Sequence, residues 1–398
     1  MARGGQFAAA LSFVAALLAG SPAHAINITV ESAPPPTGTI PFARPSKPAA
    51  PRPMPRLRVT GMIETGDAEK LHAELARLAA APGAPADGPL STIELSSMGG
   101  NLIEGFEIGG LLRKFRMIAV VRKRDLCLSS CALAFLGGNA HHVASTGAGE
   151  CNIEIGGKVA FHNFFLNRNG LREATSTDPV ASRLQGFADA RGGAAMLVKY
   201  AGEMGLQPNF VASLIGRPVE EFQYIETVGQ FLAFHVCPIG LAPPSTSMEV
   251  QARNVCINST GNAEATASLP VRAIPTDQAK LYLLERVQAN MQSSRARGRL
   301  SAQLASGAVM RNRQEIDRLY DDLRAAGVAL PDIVGPTFEI ASGRSDTTCY
   351  VSLSPDDPDG YDVSLFGPRG FADPPNQAPA NARRLFLFDK NDVVNPKP

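Results

Sequence analysis

A serine pair and a histidine are the residues of this chain whose types and spacing could do covalent chemistry. Ser129-Ser130 lies between an apolar segment and a run of small residues, and His162 ends the apolar segment 159–161. A serine on a strand-to-helix turn is exposed at a helix N-terminus, where free N–H groups favour negative charge. Histidine is the usual group that takes a serine's proton. Together they predict a nucleophile and its base, whereas each taken singly also fits a structural role, an N-cap or a strand end.

A glycine pair precedes the serines along the chain. Gly99-Gly100 follows an apolar segment and opens a helical one. Glycines at such a turn let the backbone approach a ligand and leave N–H groups available at the helix start. A plain turn explains the same pair, so its functional interpretation depends on the serine and the histidine.

The cysteines indicate an oxidising compartment rather than a metal site. Their number is even, no C-x-x-C pair occurs and zinc-ligand spacing is absent, so no metal or other cofactor is predicted. The six are Cys127, Cys131, Cys151, Cys237, Cys256 and Cys349. Cys127 and Cys131 lie four residues apart and form either a disulfide or two small buried apolar positions.

The first residues have the form of a secretory signal. Arg3 supplies the positive charge, Phe7 to Leu18 is a short apolar run, and Ala23-His24-Ala25 is a small-x-small cleavage motif before Ile26. We therefore expect a periplasmic or secreted protein after cleavage near Ala25, with an uncleaved anchor as the alternative. The net charge of +1 argues against a nucleic-acid partner held by bulk charge.

The elements that must position these residues alternate between strand and helix. Asp67 is expected to cap the first helix, whose apolar positions are Leu71, Leu75 and Leu78. Such alternation implies right-handed crossovers and a largely parallel sheet, so the predicted fold class is α/β. The predicted strands are Leu57–Ile63, Thr92–Leu95, Met117–Val121 and the segment ending at His162; the predicted helices include Ala132–Leu136 and about Pro179–Met204.

Composition divides the chain into four parts. Residues 1–25 are the signal peptide, and residues 26–55 are a proline-rich linker in which no packed element is expected. Residues 56–237 form the α/β domain. Residues 238–398 form a mainly helical extension with a helical segment at about 276–326, and the tail from Pro374 is expected to fray.

The order strand–Gly-Gly–helix, strand–Ser–helix, strand–His resembles the proteolytic subunit of the Clp protease, and more closely its exported bacterial relatives. The resemblance extends from Leu57 to about Val236 and implies a crotonase-like β/α superhelix that assembles as trimers or hexamers. The matching motifs are Gly61-Met62-Ile63, Leu95-Ser96-Ser97-Met98-Gly99-Gly100, Glu104-Gly105, Cys127-Leu128-Ser129-Ser130-Cys131-Ala132, Phe135-Leu136-Gly137-Gly138, Phe161-His162 and Met204-Gly205.

Matched position by position, the resemblance implies that Ser129 is the nucleophile and His162 the base. Exported relatives commonly read Cys-x-Ser-x-Cys, which favours Ser129 over Ser130. The oxyanion hole would be formed by the backbone N–H groups of Gly100 and Ser130, and Gly99 would shape the turn.

The third member of the site departs from the family, which uses an aspartate. In the corresponding stretch, Glu221 fits best and Glu220 next. A Ser–His dyad oriented by a backbone carbonyl is the alternative.

Two further departures concern the rest of the chain. An insertion around Gly147–Gly157 carries Cys151, which is expected to pair with Cys127 or Cys131. The residues after Cys237 have no counterpart in the core family, and either cap the site or hold a partner.

The function predicted from these motifs is an ATP-independent serine peptidase acting on peptides or proteins outside the cytoplasm. Because the exterior lacks ATP, no ATPase partner is expected. The first alternative is a non-catalytic binding or scaffold protein that retains the fold. A crotonase acting on coenzyme A thioesters is weaker, since that substrate is not expected outside the cytoplasm.

Overall fold

The computed structural model describes residues 25–31, 55–86, 88–138, 151–163, 179–218, 220–261, 270–290, 312–341, 347–378 and 380–398. They form two compact units: the first contains the described residues of 25–31, 55–152 and 156–224, and the second contains Ile153–Ile155 and the described residues of Ile225–Pro398. The predicted signal peptide lies outside the described residues except for Ala25. Among the described helices, none has both the length and the apolar character needed to cross a bilayer.

The first unit alternates strands and helices, as predicted. Its strands are β1 Asn27–Glu31, β2 Arg56–Thr60, β3 Ser91–Ser96, β4 Met117–Val121, β5 Leu126–Leu128, β7 Lys158–Phe161 and β8 Gln223–Tyr224, while β6, Cys151–Glu154, is divided between the units. Its helices are α1 Asp67–Ala79, α2 Leu102–Lys114, α3 Ser130–Leu136, α4 Pro179–Met204 and α5 Pro208–Ile215.

The central sheet of this unit has the strand order β1-β2-β3-β4 and is mostly parallel. β1 runs antiparallel to β2, whereas β2, β3 and β4 are parallel, with Leu57 opposite Ile93 and Ile93 opposite Ala119. Every residue of β4 is buried, as expected for a strand covered on both faces. The α/β prediction is therefore confirmed.

The beginning of the predicted linker is a strand, which corrects that prediction. β1 pairs with β2 along its whole length, and the adjacent Ile26 is fully buried. The prediction failed because it followed the proline content of residues 34–55, whereas Asn27-Ile28-Thr29-Val30 has strand character. Residues 32–54 lie outside the described part.

The first helix has the predicted buried face but a different cap. Leu71, Leu75 and Leu78 are buried. The N-cap is Gly66, with a φ of 94°, and Asp67 is the first helical residue. The Asp67 carboxylate accepts hydrogen bonds from the backbone nitrogens of Ile26 and Glu64, at 3.2 and 2.7 Å, so it secures the segment before the helix.

Helices α2 and α3 pack closely because glycines line their contact. A Cβ on Gly105 would lie 2.7 Å from the Ser130 side chain, and one on Gly137 would lie 2.0 Å from the Gly109 carbonyl oxygen. Arg113 of α2 donates to the carbonyl of Gly137 at 3.0 Å and thereby caps the C-terminal end of α3. The glycines thus fix the position of the short helix that follows Ser129.

A small second sheet with the order β5-β7-β8 lies in the same unit. β5 and β7 are parallel, with Leu128 opposite Ala160, so Ser129 and His162 both follow strands that end at the same edge. β8 is antiparallel to β7 and pairs Gln223 with Phe161.

The second unit contains helices and a five-stranded antiparallel sheet with the order β10-β11-β12-β13-β14. Its strands are β9 Val236–Ile239, β10 Val271–Ile274, β11 Thr337–Ala341, β12 Thr348–Leu353, β13 Tyr361–Gly367 and β14 Gly370–Ala372. Its helices are α6 Val228–Ala233, α7 Met248–Thr260, α8 Thr276–Asn290, α9 Arg313–Ala325 and the 3₁₀ helix Ala380–Leu387.

The sheet corrects the expectation of a mainly helical extension. Along β12, Cys349 and Val351 belong to the core that includes Val255 of α7, while the intervening Tyr350 belongs to the core that includes Leu284 of α8. This alternation shows that helices cover both faces. The predicted helical segment is correct at α8 and α9, and residues 291–311 lie outside the described part. The segment Thr348-Cys-Tyr-Val-Ser-Leu353 is rich in β-branched and aromatic residues, a strand signal that the prediction missed.

The first unit ends at Tyr224, whereas the predicted domain boundary was Cys237. The backbone nitrogens of Val228 and Gly229 donate to Asp392 and Lys390, which ties this segment to the end of the chain. The tail is therefore packed rather than frayed, and Asn395 is buried.

Candidate active site

Ser129 occupies the turn between β5 and α3 in an unusual backbone conformation. Its φ is 57° and its ψ is −125°, outside the left-handed helical region that non-glycine residues sometimes visit. Its N–H donates to the carbonyl of Ala160 on β7 at 2.9 Å. Such conformations persist where the surrounding structure holds them, and they concentrate at functional sites.

The two adjacent serines differ in exposure, which separates their roles. Ser129 is partly exposed and lines a cleft, whereas Ser130 is 1% exposed and packs against Gly105. Its hydroxyl has no hydrogen-bond partner in the described part of the chain. A substrate could reach Ser129 but not the Ser130 side chain.

The Gly99-Gly100 turn lies directly against the serine turn. A Cβ on Gly99 would lie 2.6 Å from the Leu128 carbonyl oxygen and 2.6 Å from the Ser129 Cβ, and the φ of Gly99 is 96°. A Cβ on Gly100 would lie 2.1 Å from the carbonyl oxygen of Ile63. Both positions require glycine because the neighbouring backbone fills the space of a side chain.

Backbone hydrogen bonds hold this turn from one side. Ile63 donates its N–H to the carbonyl of Gly99 at 2.9 Å and accepts from the N–H of Asn101 at 2.8 Å. The N–H of Gly99 is bound by the Ser97 hydroxyl at 3.1 Å. In the described part of the chain, the N–H groups of Gly100 and Ser130 have no acceptor, so they are available to a ligand.

His162 follows β7 and is partly buried beside an aromatic ring. Its imidazole lies 4.8 Å from the ring of Phe222, centroid to centroid. Burial lowers the pKa of His162 below its ordinary value, and an interaction with the backbone at Asn163 opposes this shift in part. The side chain of Asn163 donates to the carbonyl of Ile215 at 2.9 Å, which anchors the segment after His162. A neutral imidazole at neutral pH is suited to act as a base.

Glu221 was expected to orient His162, but its carboxylate pairs with Arg217. Its carboxylate lies 3.5 Å from the Arg217 guanidinium, with 59% of the side chain exposed. It is not among the groups that shift the pKa of His162. Glu220 is also exposed. The participation of either glutamate stays a prediction.

The cleft that contains Ser129 and His162 has a volume of 1580 Å³. Its lining is largely apolar, and Met98 and Ile103 are each at least half exposed. Small-molecule pockets are typically about 300–1,000 Å³, so this groove is large enough for a segment of polypeptide.

A disulfide joins the residues on either side of the serine pair. Cys127 and Cys131 are bonded to each other, with their Cα atoms 5.1 Å apart and both side chains buried. The expected pairing of Cys151 with either of them is therefore wrong. Cys237, Cys256 and Cys349 are buried.

Three residues that hold the site in place through packing or hydrogen bonds were not predicted from the sequence. Gly105 makes room for Ser130, Ile63 holds the glycine turn and Phe222 packs on the imidazole. Gly105 and Ile63 lie inside quoted motifs, but their roles depend on contacts with distant segments. Phe222 is adjacent to Glu221, and no local pattern distinguishes it.

No protein-family model matches this chain, and no curated protein matches it in sequence. The likeness to the Clp proteolytic subunit therefore depends on the quoted motifs.

Proposed function

We propose that this protein is an ATP-independent serine peptidase of the Clp proteolytic subunit type, with a crotonase-like β/α superhelix. The observation that carries the proposal is the conformation of Ser129. A non-glycine residue is held at a φ of 57° on a strand-to-helix turn, and it lines the same cleft as His162. A serine used as a helix cap would not need this conformation, since caps ordinarily have extended backbone.

The chemistry follows from the groups around the turn. The Ser129 hydroxyl attacks the scissile carbonyl while His162, neutral because it is partly buried, takes the proton. The N–H groups of Gly100 and Ser130 stabilise the oxyanion, and His162 returns the proton to the leaving amine. Water then hydrolyses the acyl-enzyme by the same steps in reverse order. Loss of one oxyanion donor would reduce transition-state stabilisation by about 3–4 kcal/mol.

The base in this mechanism is positioned by packing. Phe222 contacts the imidazole, and Asn163 anchors the following backbone to Ile215 and Arg217. Because the Glu221 carboxylate pairs with Arg217, a Ser–His dyad is better supported than a triad through Glu221. Glu221→Gln should then change the rate by less than about tenfold, whereas loss of a triad carboxylate costs about 10⁴-fold.

The substrate class follows from the cleft and from the proposed location. The groove has the volume for a segment of polypeptide, and its apolar lining suits side chains exposed in unfolded or mobile proteins. We propose export to the periplasm or beyond, where no ATP-driven partner acts. The proposal also includes assembly of identical chains into trimers or hexamers.

The test is labelling with a fluorophosphonate probe, which reacts with activated serines. The wild type should label, and Ser129→Ala and His162→Ala should abolish labelling. Ser130→Ala should still label, because it removes a buried hydroxyl and leaves the backbone N–H in place. Labelling that survives Ser129→Ala would refute the assignment.

The second candidate is a non-catalytic binding protein. The observation that favours it is the pairing of Glu221 with Arg217, which leaves the expected third member away from the base. A folded wild type that does not label would support this function over the first.

A further inference from the structure

The residue that follows the predicted cleavage motif is buried at an acidic site. Ile26 is 0% exposed, whereas Ala25 before it is exposed. The backbone nitrogen of Ile26 donates to the Asp67 carboxylate at 3.2 Å. Its carbonyl accepts a hydrogen bond from the Lys70 ammonium. A linker residue would not need such an enclosed position.

Two buried carboxylates at this place lack a cation. Asp67 is 3% exposed and Glu104 is 8% exposed. Glu104 accepts from the backbone nitrogens of Gly66 and Ala68 at 2.9 and 2.8 Å. In the described part of the chain, no lysine, arginine or histidine lies within 4.0 Å of either carboxylate. Buried charge is costly unless it is paired, so the site favours an additional positive group.

We propose that the Ala25–Ile26 peptide bond is a processing site whose cleavage creates that group. A peptidase that recognises the small residues Ala23 and Ala25 adds water across the bond. The hydroxyl goes to the Ala25 carbonyl, and the Ile26 nitrogen leaves as an amine that takes up a proton. The resulting ammonium has three donors in place of one and forms an ion pair with Asp67.

Two sets of backbone hydrogen bonds connect the new ion pair to the candidate active site. Asp67 also binds the backbone nitrogen of Glu64 at 2.7 Å. The preceding residue, Ile63, binds Gly99 and Asn101 on both sides of Gly100. Fixing residues 63–67 therefore fixes the N–H of Gly100. This consequence rests on the proposed function, whereas the processing site itself does not.

The test compares two chains that differ by one residue, one starting at Ile26 and one at Ala25. The second carries its ammonium one residue outward, where it cannot reach Asp67. At pH 7 the chain starting at Ile26 should melt about 2–4 °C higher. It should also label about tenfold faster at Ser129, since charge-assisted hydrogen bonds are about twice as strong as neutral ones.

The pH dependence identifies the ammonium. Pairing with Asp67 raises the pKa of the Ile26 amine above its unfolded value of about 8. The extra stability is therefore complete below about pH 8 and disappears as the pH rises through the folded-state value. The other charged side chains that bind at this corner are Lys70, on the Ile26 carbonyl, and Glu104, on the backbone nitrogens of Gly66 and Ala68. Both chains contain them, so the difference between the chains reports the amine. In Asp67→Asn the difference should vanish at every pH.

The full-length chain is also expressed with export, and the mass of the exported protein shows where its N-terminus lies. An N-terminus at Ile26 supports the proposal, and any other N-terminus overturns it. Equal melting of the two chains also overturns it. If the chains differ in melting but neither labels, the processing site stands and the peptidase proposal fails. If they differ in melting but label equally, the connection to Gly100 is refuted.

Discussion

Replacing Gly99 with alanine tests whether the glycine turn and the serine turn form one packed unit. The added Cβ would lie 2.6 Å from both the Leu128 carbonyl oxygen and the Ser129 Cβ. Real Cβ atoms essentially never approach closer than 3.0 Å, so the two turns would have to separate by at least about 0.4 Å. Neither neighbour is the end of a mobile side chain, so the displacement falls on the backbone that carries Ser129, the proposed nucleophile.

The expected magnitude has two parts. Alanine at a φ of 96° costs about 1–2 kcal/mol for the left-handed conformation. Relieving the overlap costs about 1–3 kcal/mol more, as for other overpacked sites. A displacement of reacting groups that approaches 1 Å lowers rates by about 10²-fold. Gly99→Ala should therefore be destabilised by about 2–5 kcal/mol and label 10–100-fold more slowly, the lower limit reflecting the smaller shift.

Gly370→Ala is the matched control for this substitution. Gly370 has a φ of 92°, close to that of Gly99, and a Cβ there would meet no atom within 4 Å. It lies in the second unit, at the first position of β14, so it shares the conformational cost and not the overlap. It should lose about 1–2 kcal/mol and label at the wild-type rate. Chemical denaturation and fluorophosphonate labelling measure both quantities. If Gly99→Ala matches Gly370→Ala in both assays, the packing argument for the site is wrong.

Three further outcomes are expected. Labelling should persist to a pH below about 6.5 and then fall, because burial favours neutral His162; a midpoint above that value would contradict this environment. Replacing both Cys127 and Cys131 with serine should cost about 2 kcal/mol of stability and slow labelling, measured by denaturation and probe kinetics; unchanged labelling would show that the serine turn does not need the disulfide. Gly109→Ala should lower the stability by at least about 2 kcal/mol, since its Cβ would overlap the buried hydroxyl of Tyr200. The adjacent Gly110→Ala should raise the stability by up to about 1 kcal/mol, because its Cβ would meet no atom. Thermal melts measure both, and equal effects would refute the close contact between α2 and Tyr200.

Local patterns predicted most elements of the first unit. β4 was predicted at its observed bounds, and the leucines of α1 lie on the predicted buried face. The alternation of predicted strands and helices also indicated the α/β class. These features depend on residues that are neighbours in sequence, so period and turn chemistry are sufficient to indicate them.

The same reasoning failed where composition was used in place of pattern. Proline content concealed β1, and one long helical stretch made the second unit look mainly helical. β1 pairs with Arg56–Thr60 and β10 pairs with β11, and both partners lie far along the chain, whereas β11 to β14 each pair with the next strand in sequence. A single segment does not show which distant strand will pair with it.

By itself, the sequence determined the candidate groups and their order: a glycine pair, a serine at a turn, and a histidine at a strand end. The resemblance favoured Ser129 over Ser130, but only the tertiary structure showed that Ser130 is buried, because its burial beside Gly105 depends on how α2 crosses α3. The tertiary structure also paired Cys127 with Cys131, placed Glu221 on Arg217 and buried Ile26 at Asp67. Residue type and spacing specify what chemistry a chain could do. Exposure, charge pairing and backbone strain arise when distant segments meet, and they decide which residues are able to do it.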